Sequence, residues 1–328
     1  MKVAVFNTKP FDRQFLSQAN AEFAHDLSFF EARFTAKTAP LAGGFSAICI
    51  FVNDQVDQEA LTLLKEQGIR CIALRCAGYD NLDLDAAKAL EISVVRVPSY
   101  SPYAIAEHAV GLILTLNRKL HRAHNRTRDD NFALNGLLGF DLHGKTVGIV
   151  GTGKIGECFA RIMSGFGCRL VAYDPHPNPA CKEMGVQYVE LHQLLASSDV
   201  VSLHCPLVPS TQHIISAQTL CYLKRGAMLI NTSRGGLIDT RAVIDAIEDG
   251  TIGHLGLDVY EGEANLFFED LSDTIIRDQT FQLLQSFPNV VITPHQAFFT
   301  REALGAIAQT TLANLADIEQ GRPCPNAL

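Results

Sequence analysis

Ten short runs rich in Val, Ile, Ala and Leu punctuate the chain, and the stretches between most of them repeat apolar residues every three or four positions. The runs are Lys2–Phe6, Ala47–Val52, Cys71–Arg75, Ser93–Val97, Thr146–Val150, Arg169–Tyr173, Val200–Leu203, Ala227–Ile230, Leu255–Val259 and Val290–Ile292. Within them apolar residues are consecutive rather than alternating, as in strands covered on both faces. Strands of this kind exchanging with helical patterns predict an α/β protein with parallel sheets. Two prolines in Val97-Pro98-Ser99-Tyr100-Ser101-Pro102 break the pattern and mark a boundary. A long helix is predicted beyond it, from Pro102 or Tyr103 to about Arg126, with proline suited to the first turn. The 127–143 stretch reads as loop plus a short helix. The longest apolar helical stretch, Ala104 to Leu116, is interrupted by Glu107 and His108 and is shorter than the ~18–20 apolar residues of a membrane span. The first residues, MKVAVFNTKPFD, lack the apolar run of a signal peptide. A soluble protein without a membrane partner is expected.

Composition adds little to the fold but narrows the partners. The chain has 328 residues, 47% hydrophobic and 19% charged, which fits about two globular domains. Its 27 Lys and Arg against 35 Asp and Glu give a net charge of −8, which argues against nucleic acid as a partner. The basic run Arg118, Lys119, Arg122, Arg126 and Arg128 leaves a local anion or nucleic-acid patch open, although the net charge favours an exposed helix end or acid pairing across a subunit interface. Nine cysteines, an odd number without a C-x-x-C pair or a tight Cys/His cluster, imply free thiols, no metal and a cytoplasmic location.

The most informative segment is Lys145-Thr-Val-Gly-Ile-Val-Gly151-Thr-Gly153-Lys-Ile-Gly156, a strand running into G-x-G-x-x-G. The glycine pattern alone is weak and also fits an ordinary strand–helix turn. Its context strengthens it: an apolar strand precedes it, a helix with Ile155, Phe159, Ile162 and Met163 follows, and the next strand ends at Asp174, about 18 residues beyond Gly156. Gly151 would allow the tight turn, Gly153 the close approach of a pyrophosphate, and Gly156 the packing of helix on strand. Amides at Lys154 and Ile155 would face the phosphates with the helix dipole behind them. Asp174 would accept from both ribose hydroxyls and repel a 2′-phosphate, which predicts NAD rather than NADP.

Four blocks extend the pattern over essentially the whole chain. They are Arg75-Cys-Ala-Gly78-Tyr-Asp-Asn-Leu-Asp83, the glycine turn, Asn231-Thr-Ser-Arg234-Gly235-Gly236-Leu-Ile-Asp239, and Gly256-Leu-Asp258-Val-Tyr-Glu-Gly-Glu263 followed by Thr293-Pro-His295-Gln-Ala-Phe298. With these blocks the chain resembles the D-isomer-specific 2-hydroxyacid dehydrogenases. Phe51-Val-Asn-Asp54, Thr115-Leu-Asn-Arg118, Leu266-Phe-Phe-Glu-Asp270 and His295-Gln-Ala-Phe298 resemble the fermentative D-lactate dehydrogenase branch. The resemblance implies two doubly wound parallel-sheet domains. An NAD-binding Rossmann domain, residues 101–297, would be inserted into a flavodoxin-like substrate domain, residues 1–100 and 298–328.

It also implies roles. Arg234 would fork onto the carboxylate and keto oxygens of a 2-keto acid such as pyruvate, His295 would exchange the proton, and Glu263 would favour the protonated ring. Glu261, two positions early, is expected to be solvated. Cofactor contacts are implied for Cys205, Pro206 and Thr211, for Thr232 and Ser233, and for Asp258 at the nicotinamide amide. Ala77 and Gly78 would offer backbone N–H groups to the substrate and Tyr100 a hydroxyl. Phe51 or Val52, and Phe298, would wall the methyl end of the pocket, or simply pack in the core. A homodimer or homotetramer is implied. Reduction of another 2-keto acid, such as glyoxylate or hydroxyphenylpyruvate, and a non-catalytic NAD-sensing corepressor role are the alternatives.

Overall fold

The computed structural model describes residues 1–328, the side chain of Asn265 excepted. The chain divides into two compact units, Met1–Ser101 with Phe299–Leu328, and Pro102–Phe298. The second unit is thus continuous and interrupts the first.

The first unit carries strands β1 (Lys2–Val5), β2 (Asp26–Phe29), β3 (Ala47–Ile50), β4 (Cys71–Leu74) and β5 (Ser93–Arg96). They pair in parallel in the order β2-β1-β3-β4-β5, which is the flavodoxin-like order. Every residue of β3 and β4 is buried, as their unbroken apolar runs require. The C-terminal helix Arg301–Glu319 closes this core, with Ala308, Leu312 and Leu315 packed among Val3, Val5, Cys49, Cys71, Ala73 and Val95.

The second unit carries β6 (Thr146–Val150), β7 (Arg169–Tyr173), β8 (Gln187–Tyr188), β9 (Val200–Leu203), β10 (Ala227–Asn231), β11 (Ile252–Leu257) and β12 (Val290–Ile292). Their order, β12-β11-β10-β9-β6-β7-β8, is that of a Rossmann sheet. The chain winds outward from β6 in one direction and from β9 in the other, so the loops after these two neighbours separate at a topological switch point, where such sheets bind ligands. Helix Pro102–Arg118 lays Ala106, Ala109, Leu112, Ile113 and Leu116 on one face, against Val147, Ile149, Met228 and Ile230. Helix Thr240–Glu248 covers the other face with Val243, Ile244 and Ile247 among Leu229, Leu255 and Leu257.

Several expectations are corrected. The long helix does not reach Arg126: it stops at Arg118, because Lys119 takes a left-handed φ of 50°, and a separate helix runs Leu120–Arg128. Residues 129–143 are turns and extended loop rather than a short helix. Strands β2 and β8 gave no apolar run; both are sheet edges, and β8 is only two residues long.

Candidate active site

The glycine turn follows β6 directly. Gly151 has φ of 93°, and a Cβ there would lie 2.6 Å from the backbone N of Cys205, so the loops after β6 and β9 touch at the switch point. Gly153 caps helix Lys154–Gly165, and a Cβ on it would meet no described atom within 4 Å, leaving open space over the helix N-terminus. A Cβ on Gly156 would collide with the carbonyl oxygen of Gly151, which fixes how close helix and turn lie. This open cradle, with N–H groups at its floor, fits a dinucleotide pyrophosphate.

Asp174 sits half-buried just beyond β7. Its Oδ2 accepts from Thr152 N at 2.6 Å and Thr152 Oγ1 at 3.0 Å, and its Oδ1 accepts from His176 N at 2.8 Å. A carboxylate accepts about four hydrogen bonds, so Oδ1 keeps capacity for a ribose hydroxyl. Tyr188 Oη donates to Thr152 Oγ1 at 2.9 Å and steadies the turn from β8.

The loop after β9 holds Cys205 and Pro206. Cys205 is buried, and burial pushes its thiol up to about 11, which suits a filler and not a nucleophile. Thr211 Oγ1 donates to Pro206 O at 2.6 Å and accepts from Val208 N at 2.9 Å, so this hydroxyl shapes its own turn. His204 lies beneath, its Nε2 2.9 Å from Ser202 Oγ, and burial drives its ring down to about 3, so it is neutral.

Arg234 follows β10. The fully buried Asn231 sets its backbone: Oδ1 accepts from Ser233 N at 3.0 Å and Nδ2 donates to Arg234 O at 2.8 Å. Ser233 Oγ donates to Cys205 O at 2.7 Å, tying this turn to the neighbouring loop. The buried Thr232 hydroxyl has no partner among the described residues. Sequence reasoning quoted Asn231 only as the first letter of a motif; its function as a brace is visible only once the turn is folded.

His295 and Glu263 meet. His295 Nδ1 is 2.8 Å from Glu263 Oε1, and Glu263 Oε2 accepts from Tyr260 N at 2.8 Å. The carboxylate is therefore pinned by backbone while it orients the ring, and the two side chains are only 14% and 19% exposed. His295 has φ of 53°, a left-handed conformation costing a non-glycine residue about 1–2 kcal/mol, so the segments on either side must hold it there.

Asp258 provides that hold. Its carboxylate is fully buried at the end of β11. Oδ1 accepts from Thr293 Oγ1 at 2.5 Å and Gln296 N at 2.9 Å, and Oδ2 accepts from Ala297 N at 2.8 Å. These donors make Asp258 the brace of the 293–297 turn. The expectation for Glu261 is corrected. Although exposed, it is not merely solvated: Oε1 lies 2.7 Å from His213 Nε2, and Oε2 accepts from Thr240 Oγ1 at 2.5 Å.

Phe298 is buried, with its ring 6.4 Å from that of His295. Phe268 lies 5.8 Å from the same imidazole. The second unit thus carries the glycine turn, Asp174, Cys205, Thr232, Ser233, Arg234, Asp258, Glu263, His295 and Phe298. Ala77, Gly78 and Tyr100 belong to the first unit, where Ala77 O accepts from Arg96 Nη1 at 2.8 Å. Phe51, also there, is core: it is 7% exposed, with the guanidinium of Arg75 5.0 Å from its ring centre.

Residues 110–297 match the NAD-binding domain of the D-isomer specific 2-hydroxyacid dehydrogenases, and the chain belongs to that family of oxidoreductases. A D-lactate dehydrogenase of Escherichia coli is 53% identical over 328 residues, covering all of both chains. The apo structure of D-lactate dehydrogenase from Escherichia coli superposes with a TM-score of 0.92 at 51% identity, again over both full chains. A pyruvate reductase of Chlamydomonas reinhardtii superposes with a TM-score of 0.94 at 46% identity, over 99% of this chain and 98% of the other. No helix among the described residues is long and apolar enough to cross a membrane, and no group of His, Cys, Asp and Glu there could hold a metal ion.

Proposed function

We propose that the protein is an NAD-dependent D-lactate dehydrogenase that reduces pyruvate to D-lactate and runs in both directions. The observation that carries this reading is the 2.8 Å pairing of His295 with Glu263, on a chain 53% identical end to end to a D-lactate dehydrogenase. Bound NADH supplies the hydride that reaches the keto carbon. Arg234 holds the substrate carboxylate and the keto oxygen through its planar fork. Glu263 occupies Nδ1 of His295, which leaves Nε2 as the ring nitrogen that delivers a proton to the keto oxygen. In the oxidative direction the same Nε2 takes the hydroxyl proton. Lys154 and Ile155 offer amides to the pyrophosphate, and Asp174 offers its remaining acceptor to the adenine ribose, which supports NAD over NADP.

The decisive assay mixes the protein with NADH or NADPH and a panel of 2-keto acids, follows cofactor absorbance, and resolves the product's chirality. Fast NADH oxidation with pyruvate giving D-lactate is expected. Faster turnover of a bulkier keto acid would move the assignment to another 2-keto acid, and no turnover with any would favour a binding role.

We infer further that the chain forms a homodimer or homotetramer in a reducing, cytoplasmic setting. Phe132, Leu134 and Leu138 are 71%, 79% and 88% exposed on one extended segment, which supports burial against another copy. All nine cysteines are free thiols, which suits a reducing compartment. Light scattering checks the assembly: a monomeric mass at micromolar concentration would refute it.

A further inference from the structure

The helix that opens the second unit sends one polar side chain toward the turn that carries His295. His108 lies on helix Pro102–Arg118, and its Nε2 is 3.0 Å from Thr293 Oγ1 and 3.3 Å from Asp258 Oδ1. Glu107 and His108 interrupt the most apolar helical stretch of the sequence, and nothing in the dehydrogenase reading uses the histidine.

Counting protons fixes what His108 does there. The single hydroxyl proton of Thr293 is given to Asp258 Oδ1 at 2.5 Å. His108 Nε2 therefore cannot accept from Thr293, and a bare ring nitrogen would face the carboxylate oxygen lone pair to lone pair. Nε2 must carry a hydrogen and donate into the Thr293–Asp258 pair. The carboxylate of Asp258, fully buried, then has donors from three directions: the Thr293 hydroxyl, the amides of Gln296 and Ala297, and the ring of His108. A buried carboxylate keeps its place only when its oxygens are satisfied.

The same carboxylate holds both flanks of His295. Thr293 is tied to it two residues before, and Gln296 and Ala297 immediately after. Between these anchors His295 takes its left-handed φ of 53°. We propose that His108 is a positioning residue for the proton-transfer step: by donating Nε2–H to the Thr293–Asp258 pair it locks the 293–297 turn and so aims the His295 ring at the substrate oxygen. The inference rests on the reading of His295 as the acid and base.

The test is steady-state kinetics of pyruvate reduction with His108→Ala, His108→Gln and His295→Ala, together with the double variant His108→Ala/His295→Ala. Melting curves accompany each variant, and NADH affinity is read by fluorescence. A ring mis-aimed by under an ångström loses rate rather than affinity, so His108→Ala should lower kcat by about 10–100-fold, while KM for pyruvate and Kd for NADH change by less than about threefold. The Gln side chain can place an N–H near the position of Nε2, so His108→Gln should recover most of that loss. In the His295→Ala background the His108→Ala change should cost nothing further, because there is no ring left to aim. The inference is overturned if His108→Ala keeps kcat within twofold, if kcat and NADH affinity fall while KM rises with them, or if the two losses multiply in the double variant. If His108→Ala melts early, His108→Gln against the double variant decides the question. If His295→Ala itself turns over normally, the reading of His295 fails. If His295→Ala is inactive while His108→Ala is normal, only the positioning role fails.

Discussion

Three acids stand within six residues between Asp258 and Glu263, and the fold gives each different work. Asp258 is sealed beneath a turn, Glu261 ties a loop to the start of a helix, and Glu263 holds the imidazole. Burial and the available donors separate them, since their chemistry is the same. Replacing His295 with Ala should lower kcat by about 10²–10⁴-fold, the usual contribution of a positioned proton donor, and near-normal turnover would exclude it. Glu263→Gln loosens the hold on Nδ1 that orients the ring, so kcat for pyruvate reduction should fall by about 10–100-fold with NADH affinity little changed. A kcat that stays where it was would take Glu263 out of the mechanism. The motifs made Arg234, Glu263 and His295 legible from sequence. Asn231 and His108 were not, because a brace is defined by neighbours far along the chain, and no local pattern of residue types announces it.

At the level of strands and helices, the contact of helix Lys154–Gly165 with the glycine turn has no room to spare. Gly156→Ala would drive a methyl into the Gly151 carbonyl, so either the helix backs away or the turn deforms. A loss of about 1–3 kcal/mol in stability and weaker NADH binding are expected, as for overpacked sites. Unchanged melting and an unchanged NADH titration would show that the junction yields. The central strands were readable because each is covered on both faces and so needs an unbroken apolar run; β3 and β4 bury every residue. Strand β2 escaped because an edge strand pairs on one side only, and its Asp26 is exposed. The helix break at Lys119 escaped because a lysine gives no warning of a left-handed backbone. Strand β11 begins at Ile252 rather than Leu255, since the predicted run started only after His254.

For the molecule as a whole, acid is the exposed flank. Burial lowers the rings of His204, to about 3, and of His25, His121 and His254, all from an ordinary value of 6.5. An unfolded chain takes up these protons as pH falls through 6.5, whereas the folded chain refuses them. The stability that His204 lends is therefore complete above about pH 6.5 and drains away as pH drops toward 3, at up to about 1.4 kcal/mol per pH unit, and the other rings act in the same direction. Melting temperature should fall across this window, and His204→Asn should flatten the fall. Parallel curves for the two proteins would show that His204 does not contribute. The net charge of −8 sets a second whole-molecule condition. A carboxylate substrate and a dinucleotide must approach an acidic protein, so the attraction has to come from local groups, Arg234 and the helix start after Gly153.

The interrupted course of the chain also orders its synthesis. The second unit has all seven strands once Ile292 has been made. The first unit has its five strands as early as Arg96, yet its core stays open until Ala308, Leu312 and Leu315 leave the ribosome more than two hundred residues later. The half of the protein that is translated first can be finished only last, and for most of translation its apolar sheet face must wait uncovered while the inserted unit is built.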